Sequence, residues 1–229
     1  MPAAGAEETS SRYGIFTGGA AFATDRVWRG LSQTSGDPAV IGEIKWQHDS
    51  GAFLGVWGSN VNYGGHADQH AELDFFGGYS ADIGPANIEL AYLHYHFPSK
   101  VRNEDFGEFT ASVAYELDAA SIRAGVFYSA DHYLGSDSVY PYLDMNVRLG
   151  SLGTVPLSAS GHVGRYAIGE RSRDGYTDWK VGLNAHMPQL RSLEVSMNYH
   201  DTDFDGSASR VKGKDFAGSR FAIVVTKVF

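Results

Sequence analysis

Phe109-Thr-Ala-Ser-Val-Ala-Tyr-Glu-Leu117 runs through Asp118-Ala119-Ala120 into Ser121-Ile-Arg-Ala-Gly-Val-Phe-Tyr-Ser-Ala130. In the first run, Phe109, Ala111, Val113, Tyr115 and Leu117 alternate with Thr110, Ser112, Ala114 and Glu116. In the second, Ile122, Ala124, Val126 and Tyr128 alternate with Ser121, Arg123, Gly125 and Ser129. Successive side chains of a strand point to opposite sides, so a period of two gives each run one apolar and one polar face. A connection as short as Asp118-Ala119 reads as a β-hairpin.

The same pattern extends both ways along the chain. Leu73, Phe75 and Tyr79 alternate with Asp74 and Gly78; Trp179, Val181, Leu183 and Ala185 with Asp178, Lys180 and Asn184; Leu193, Val195, Met197 and Tyr199 with Glu194, Ser196, Asn198 and His200. Twelve such blocks lie near 12–25, 39–48, 52–61, 70–80, 86–97, 106–117, 120–130, 139–149, 156–166, 176–187, 191–201 and 217–229. Short connections follow the even blocks, at Asp49 to Gly51, Asp82 to Pro85, Asp118-Ala119, Gly150 to Val155 and Met187 to Leu190. Longer, charged ones follow the odd blocks, including Arg26 to Pro38 and Thr202 to Asp215. Short periplasmic turns and long outer loops characterise bacterial membrane barrels, and an even strand number puts both ends on the short-turn side. The expected fold is therefore all-β: a transmembrane antiparallel up-and-down β-barrel of about twelve strands over 12–229, in the outer membrane of a Gram-negative bacterium. Residues 1–11 are small and polar and read as a disordered lead-in. No basic-then-apolar signal peptide is visible, so Met1 reads as a start codon before an already processed chain.

Composition agrees. The 229 residues carry no cysteine, a formal net charge of −9 and a mean hydropathy of −0.25. No disulfide framework or thiolate zinc site is available, and no basic run marks a nucleic-acid surface. A soluble lipocalin-like barrel would also alternate, with its apolar face inward. Three features favour the membrane. The polar face holds both signs of charge; Tyr115, Tyr128, Trp179 and Tyr199 lie toward the ends of apolar stripes, as girdles do; and the chain ends in Phe221-Ala-Ile-Val-Val-Thr-Lys-Val-Phe229. That last stretch resembles the C-terminal strand of outer-membrane proteins, with Phe229 as its assembly signal.

Asp25-Arg-Val-Trp-Arg-Gly-Leu-Ser-Gln-Thr-Ser-Gly-Asp-Pro-Ala39, His48-Asp-Ser-Gly51 and Val56-Trp-Gly-Ser-Asn-Val61 carry a family resemblance. The pattern is aromatic-Arg-Gly-hydrophobic-Ser-Gln, a Gly-x-Pro-Ala turn, a His-x-Ser-Gly hairpin and Trp-x-Ser-Asn-Val. It resembles the TorF family of candidate porins (Gcw_chp), a proteobacterial family of unknown function. The resemblance implies an outer-membrane barrel with a pore role, and neither a substrate nor catalytic residues.

The expected lumen residues are Glu43, Lys45, Glu72, Asp74, Glu89, Glu108, Arg123, Asp144, Arg148, Asp178, Lys180, Glu194 and Arg220. Carboxylates outnumber cations among them, which fits a hydrated pore with weak cation preference for ions or small polar solutes. The same set also fits a salt-bridge network sealing a narrow barrel with a structural, lipid-binding or surface role. Arg29, Gly30, Ser32 and Gln33 are the most specific motif positions. They read either as solute contacts at the mouth or in the lumen, or as an Arg–carboxylate pair beside a turn. His94 and His96 share a face at metal-clamp spacing, but no third ligand is evident, and an interfacial band with Tyr92 is the simpler reading. Ser160 and His162 share a face with Asp178 nearby, the raw material of a membrane lipid hydrolase; strand neighbours two apart lie about 7 Å apart at the backbone, which leaves that reading third behind the pore and the sealed barrel. The reading is thus of no enzyme, no metal and no cofactor. The expected partners are outer-membrane lipid and lipopolysaccharide, the barrel assembly machinery and small polar solutes or ions.

Overall fold

The computed structural model describes residues 13–63, 69–99, 104–132, 136–169, 175–190, 193–205, 210–211 and 214–229; the expected lead-in over 1–11 lies outside them. Twelve long strands form one closed antiparallel barrel. In chain order they are β1 (Ile15–Ala23), β2 (Ala39–Gln47), β3 (Ala52–Asn60), β4 (Ala71–Ile83), β5 (Ala86–His96), β6 (Phe106–Glu116), β7 (Ala120–His132), β8 (Ser136–Leu152), β9 (Val155–Ile168), β10 (Tyr176–Met187), β11 (Leu193–Thr202) and β12 (Arg220–Val228). Each pairs with its neighbour in sequence, and β12 pairs back onto β1 from Gly19↔Val228 to Ala23↔Val224. Closure leaves no open sheet edge, which a strand-built membrane span requires.

The period of two sets the register. Phe109↔Tyr128, Ala111↔Val126 and Val113↔Ala124 stand opposite each other on β6 and β7, while Ser112↔Gly125 and Ala114↔Arg123 share the other face. The apolar stripes lie on the outside: Ile44, Leu54, Val56, Phe75, Leu90, Phe109, Val181, Leu183 and Met197 are all exposed. Such a surface on a chain with a polar interior is the inverse of a soluble barrel. Tyr115, Tyr128 and Trp179 are on this outer surface, and Tyr199 packs on Phe221 with ring centroids 5.1 Å apart. His96 Nδ1, at the end of β5, lies 2.8 Å from Oδ2 of Asp105, just before β6.

One connection is shorter than the sequence pattern implies. β8 runs to Leu152 and β9 starts at Val155, so the turn expected over Gly150 to Val155 narrows to Gly153-Thr154. A register shift between Arg148 and Gly150 lets the ladder continue past the polar break. The last residue also joins the ladder. Phe229 N–H donates to Gly18 O at 3.0 Å, and Gly18 N–H donates to Phe229 O at 2.9 Å. The Phe229 ring lies over Gly18, where a Cβ would come within 2.7 Å of it.

Candidate functional site

The connection from β1 to β2 folds into the barrel. Its first part is a small hairpin, with Val27 paired to Ser32 and Trp28 to Leu31. Its two-residue turn is Arg29-Gly30, with φ of 46° and 76°. Positive φ at both central positions is the type I′ geometry that matches strand twist. Glycine takes it freely; arginine does so at a cost on the order of 1–3 kcal/mol. Gly30 is needed for a second reason. A Cβ there would sit 2.6 Å from Asp178 Cβ and 2.9 Å from Thr202 Cβ, so the turn presses directly on β10 and β11.

Arg29 is held from all sides. Its Nη1 and Nη2 donate to Glu108 Oε1 and Oε2 at 2.8 and 2.7 Å, and Tyr95 Oη donates to Glu108 Oε2 at 2.9 Å. Its guanidinium carbon lies 4.3 Å from the ring centroids of Trp28 and Tyr140, 4.9 Å from Phe127 and 5.0 Å from Tyr166. Burial opposes the charge, but Glu108 outweighs it and holds the Arg29 pKa above its ordinary value. Of the two readings open for Arg29, the geometry is that of a pair with a wall carboxylate, inside an aromatic box.

Two more ion pairs tie the segment down. Arg26 makes a bidentate contact with Glu72 on β4, at 2.6 and 2.8 Å, beneath the Trp57 ring of β3. Asp25 accepts from Arg220 of β12 at 3.0 Å, and also from Ser32 Oγ and Thr34 Oγ1 at 2.6 and 2.9 Å. Ser32 and Gln33 shape the local chain. Gly36 N–H donates to Ser32 Oγ, Gln33 Nε2 donates to Leu31 O, and Tyr63 Oη donates to Gln33 Oε1. The remaining motif pieces hold the exit into β2 and the next turn. Asn60 bonds Val40 N and Pro38 O, Asn62 Nδ2 donates to Asp37 Oδ2, and Ser50 N–H donates to His48 Nδ1.

Space remains around this segment. A cavity of about 790 Å³ borders Arg26, Val27 and Trp28 on one side and Glu43, Lys45, Asp74, Glu89 and Arg123 on the wall. A second, of about 330 Å³, borders the hairpin together with Asp144, His162, Asp178, Lys180 and His200. A third, of about 400 Å³, reaches Asn146, Asn184, Glu194 and Asn198. Thus Glu43, Lys45, Asp74, Glu89, Arg123, Asp144, Asp178, Lys180 and Glu194 all border internal space, Glu72 and Glu108 are buried against the hairpin, and Arg220 holds Asp25. Arg148 is at the short-turn rim, bonded to Leu117 O and Asp118 O.

Sequence reasoning missed the aromatic filling of the lumen. Tyr140, Tyr166 and Tyr176 form a buried cluster with Leu31, Phe127, Tyr142 and Phe204 packed against it. The signal was present: Phe127 falls between Val126 and Tyr128, on the side of Arg123 and Gly125. Asp25 and Arg26 were likewise passed over, because their partners lie on β12 and β4 and nothing local marks them. Ser160 and His162 do not form a nucleophile–base pair. His162 Nδ1 is 2.6 Å from Asp144 Oδ1, and its Nε2 is 2.8 Å from Tyr140 Oη and 3.4 Å from Asp178 Oδ1. Both ring nitrogens are therefore engaged by groups other than Ser160. Among the described residues, no group of three or more His, Asp or Glu side chains is placed to hold a metal ion.

Residues 6–229 match the model of a family described as a bacterial protein of unknown function (Gcw_chp). No curated protein matches the sequence. Among solved structures, the NanC porin is similar, with a TM-score of 0.53 at 10% identity over 93% of this chain and 98% of that one. The likeness is one of fold. Two Pseudomonas aeruginosa structures also match: OccK3 (OpdO), with a TM-score of 0.47 at 14% identity over 84% of this chain, and OccK5 (OpdH), with 0.48 at 14% over 93%. The chain spans 57% and 66% of their respective lengths.

Proposed function

The chain belongs to the Gcw_chp family of bacterial proteins of unknown function, and from that footing we propose that it is an outer-membrane channel. It passes ions and small polar solutes by passive diffusion, past a constriction made by the Arg26 to Pro38 connection, with a weak cation preference. The observation that carries this reading is a polar, charged and incompletely filled interior inside an apolar closed barrel. A barrel whose role was only structural gains nothing from internal carboxylates, which are costly to desolvate. The TorF resemblance points the same way. Outer-membrane lipid and lipopolysaccharide would cover the apolar band, and the assembly machinery would read the Phe229 end.

The cation preference rests on fewer groups than the wall residues alone imply. Arg26 and Arg29 come in with the hairpin and neutralise Glu72 and Glu108. Glu43 forms no ion pair among the described residues, and Glu89 is 3.9 Å from Arg123. Uncompensated carboxylates in a narrow, partly dry passage enrich cations more than they would in bulk water. Reversal potentials across a KCl gradient in planar bilayers test this: modest cation selectivity, weakening with salt, is expected, and anion selectivity would refute it.

A sealed barrel is the second reading, and the hairpin favours it. Its contacts reach β3, β4, β6 to β8 and β9 to β12. Absence of any conductance from correctly inserted protein would select it.

A further inference from the structure

The strand register sorts the inner wall of β8 to β12 into rungs, because inward side chains recur at every second position. One rung reads Asp144, His162, Lys180, His200 and Arg220, ionisable throughout. The next toward the short-turn side reads Asn146, Ser160, Gly182, Asn198 and Ala222. The one after reads Arg148, Ser158, Asn184, Ser196 and Val224, with Arg148 drawn off to the rim by Leu117 O and Asp118 O. Over two successive rungs, Arg148 apart, this side of the lumen presents amides and hydroxyls and no charge.

Asn146, Ser160, Asn184, Ser196 and Asn198 all border one cavity, of about 400 Å³. That lies within the roughly 300–1,000 Å³ of small-molecule sites. Its charged borders are at the ends or already paired. Lys180 and His200 are one rung away on one side and Glu194 one rung away on the other, while Asp25 holds Arg220 and Arg26 holds Glu72. On β12, β1 and β2 the same cavity borders apolar Ala222, Val224, Ala23 and Ile41.

The amides are oriented by the wall itself. Asn146 Nδ2 and Asn184 Nδ2 both donate to Ser158 Oγ, at 3.1 and 3.3 Å, and Asn198 Nδ2 donates to Ser196 Oγ at 3.1 Å. The three amide Oδ1 atoms accept no hydrogen bond from the described residues. Gly182 makes room for this arrangement, since a Cβ there would overlap Asn198 Oδ1 and lie 2.6 Å from Ser160 Oγ. Donors are thus committed to the wall, and acceptors are left for a solute.

We propose that this cavity binds small uncharged polyols, the class of sugars and sugar alcohols, a proposal that rests on the channel reading and narrows it. A hydroxyl both donates and accepts, so it can donate to an asparagine Oδ1 and accept from the Ser160 hydroxyl, replacing the water it sheds. The C–H edge of such a molecule lies against Ala23, Ile41 and Val224. An ion sheds water over the same two rungs without meeting a counter-charge, which is costly. An ether of the same size accepts but cannot donate, and leaves the amide oxygens unmatched.

Sorbitol and triethylene glycol dimethyl ether have nearly the same mass, and only sorbitol carries O–H donors, so they separate hydrogen bonding from size. The test measures potassium conductance of the purified full chain in planar bilayers with either solute on both sides, corrected for bulk conductivity. Insertion is checked by heat-dependent electrophoretic mobility. Sorbitol is expected to reduce the conductance several-fold more than the ether at equal concentration. Asn146→Leu and Asn184→Leu are each expected to bring the two reductions toward parity; if only one variant inserts, its ratio decides. Equal reductions with the unaltered protein, or an unchanged ratio in the inserted variants, would overturn the proposal while leaving the channel standing. Absence of conductance before either solute is added would defeat the channel reading, and the proposal with it.

Discussion

Arg29 combines an unfavourable backbone conformation with a buried charge, and both costs are met at one point. The φ of 46° places the side chain at the hairpin tip, where Glu108 and the aromatic rings can surround it. Removing one member of a buried pair leaves the other uncompensated, at a cost of about 3–5 kcal/mol. Arg29→Ala is expected to destabilise the barrel by up to that amount in urea titrations in detergent, offset in part by the relieved backbone. Arg29→Lys should recover little of it, because an ammonium cannot reproduce the bidentate contact. Gly18 shows the same economy at the other end. Its missing side chain makes room for the Phe229 ring, so Gly18→Val should lower the fraction of barrel inserted in cells. Wild-type insertion of that variant, measured by outer-membrane fractionation, would separate Phe229 packing from assembly.

At the level of single strands, alternation makes predictions of opposite sign for adjacent residues. Val181 of β10 is 58% exposed on the apolar face, next to Lys180 on the inner face. An arginine at a lipid-facing midplane position costs about 2–4 kcal/mol, so Val181→Arg should lower the stability of the folded barrel in lipid vesicles by that order. The connections give a topology test. The β2–β3 turn lies on the short-turn side, and Asp203, just past β11, lies on the opposite rim. With Ser50→Cys and Asp203→Cys in this otherwise cysteine-free chain, a membrane-impermeant thiol reagent on intact cells should label the second and not the first. Labelling of Ser50→Cys would invert the orientation.

For the whole molecule, the decisive feature is that one of the long connections lies within the barrel. A twelve-stranded barrel is intermediate between small barrels that side chains fill and large ones that stay open. Here the hairpin occupies part of that space and leaves the rest as cavities. Replacing residues 27–32 with a short Gly-Ser link should therefore raise single-channel conductance several-fold in planar bilayers. An unchanged conductance would mean that the narrowest point lies elsewhere.

The strand number, the antiparallel order, the alternation of short and long connections and the outward apolar face were all legible in the sequence. They follow from local rules: a period of two, turn residues between runs, and the length of chain available at each connection. The Trp28-Arg29-Gly30 motif was equally visible as a motif, while its role was not. Arg29 meets Glu108, Arg26 meets Glu72 and Asp25 meets Arg220 across separations of 79, 46 and 195 residues. No periodicity links such positions, and charge counts along the strands could not register cations arriving from a loop. Only closure of the barrel brings them within bonding distance. The sequence alone thus determined the wall, because a wall is built from neighbours, and the tertiary structure decided what stands inside it, because the lumen is built from residues that only ring closure makes adjacent.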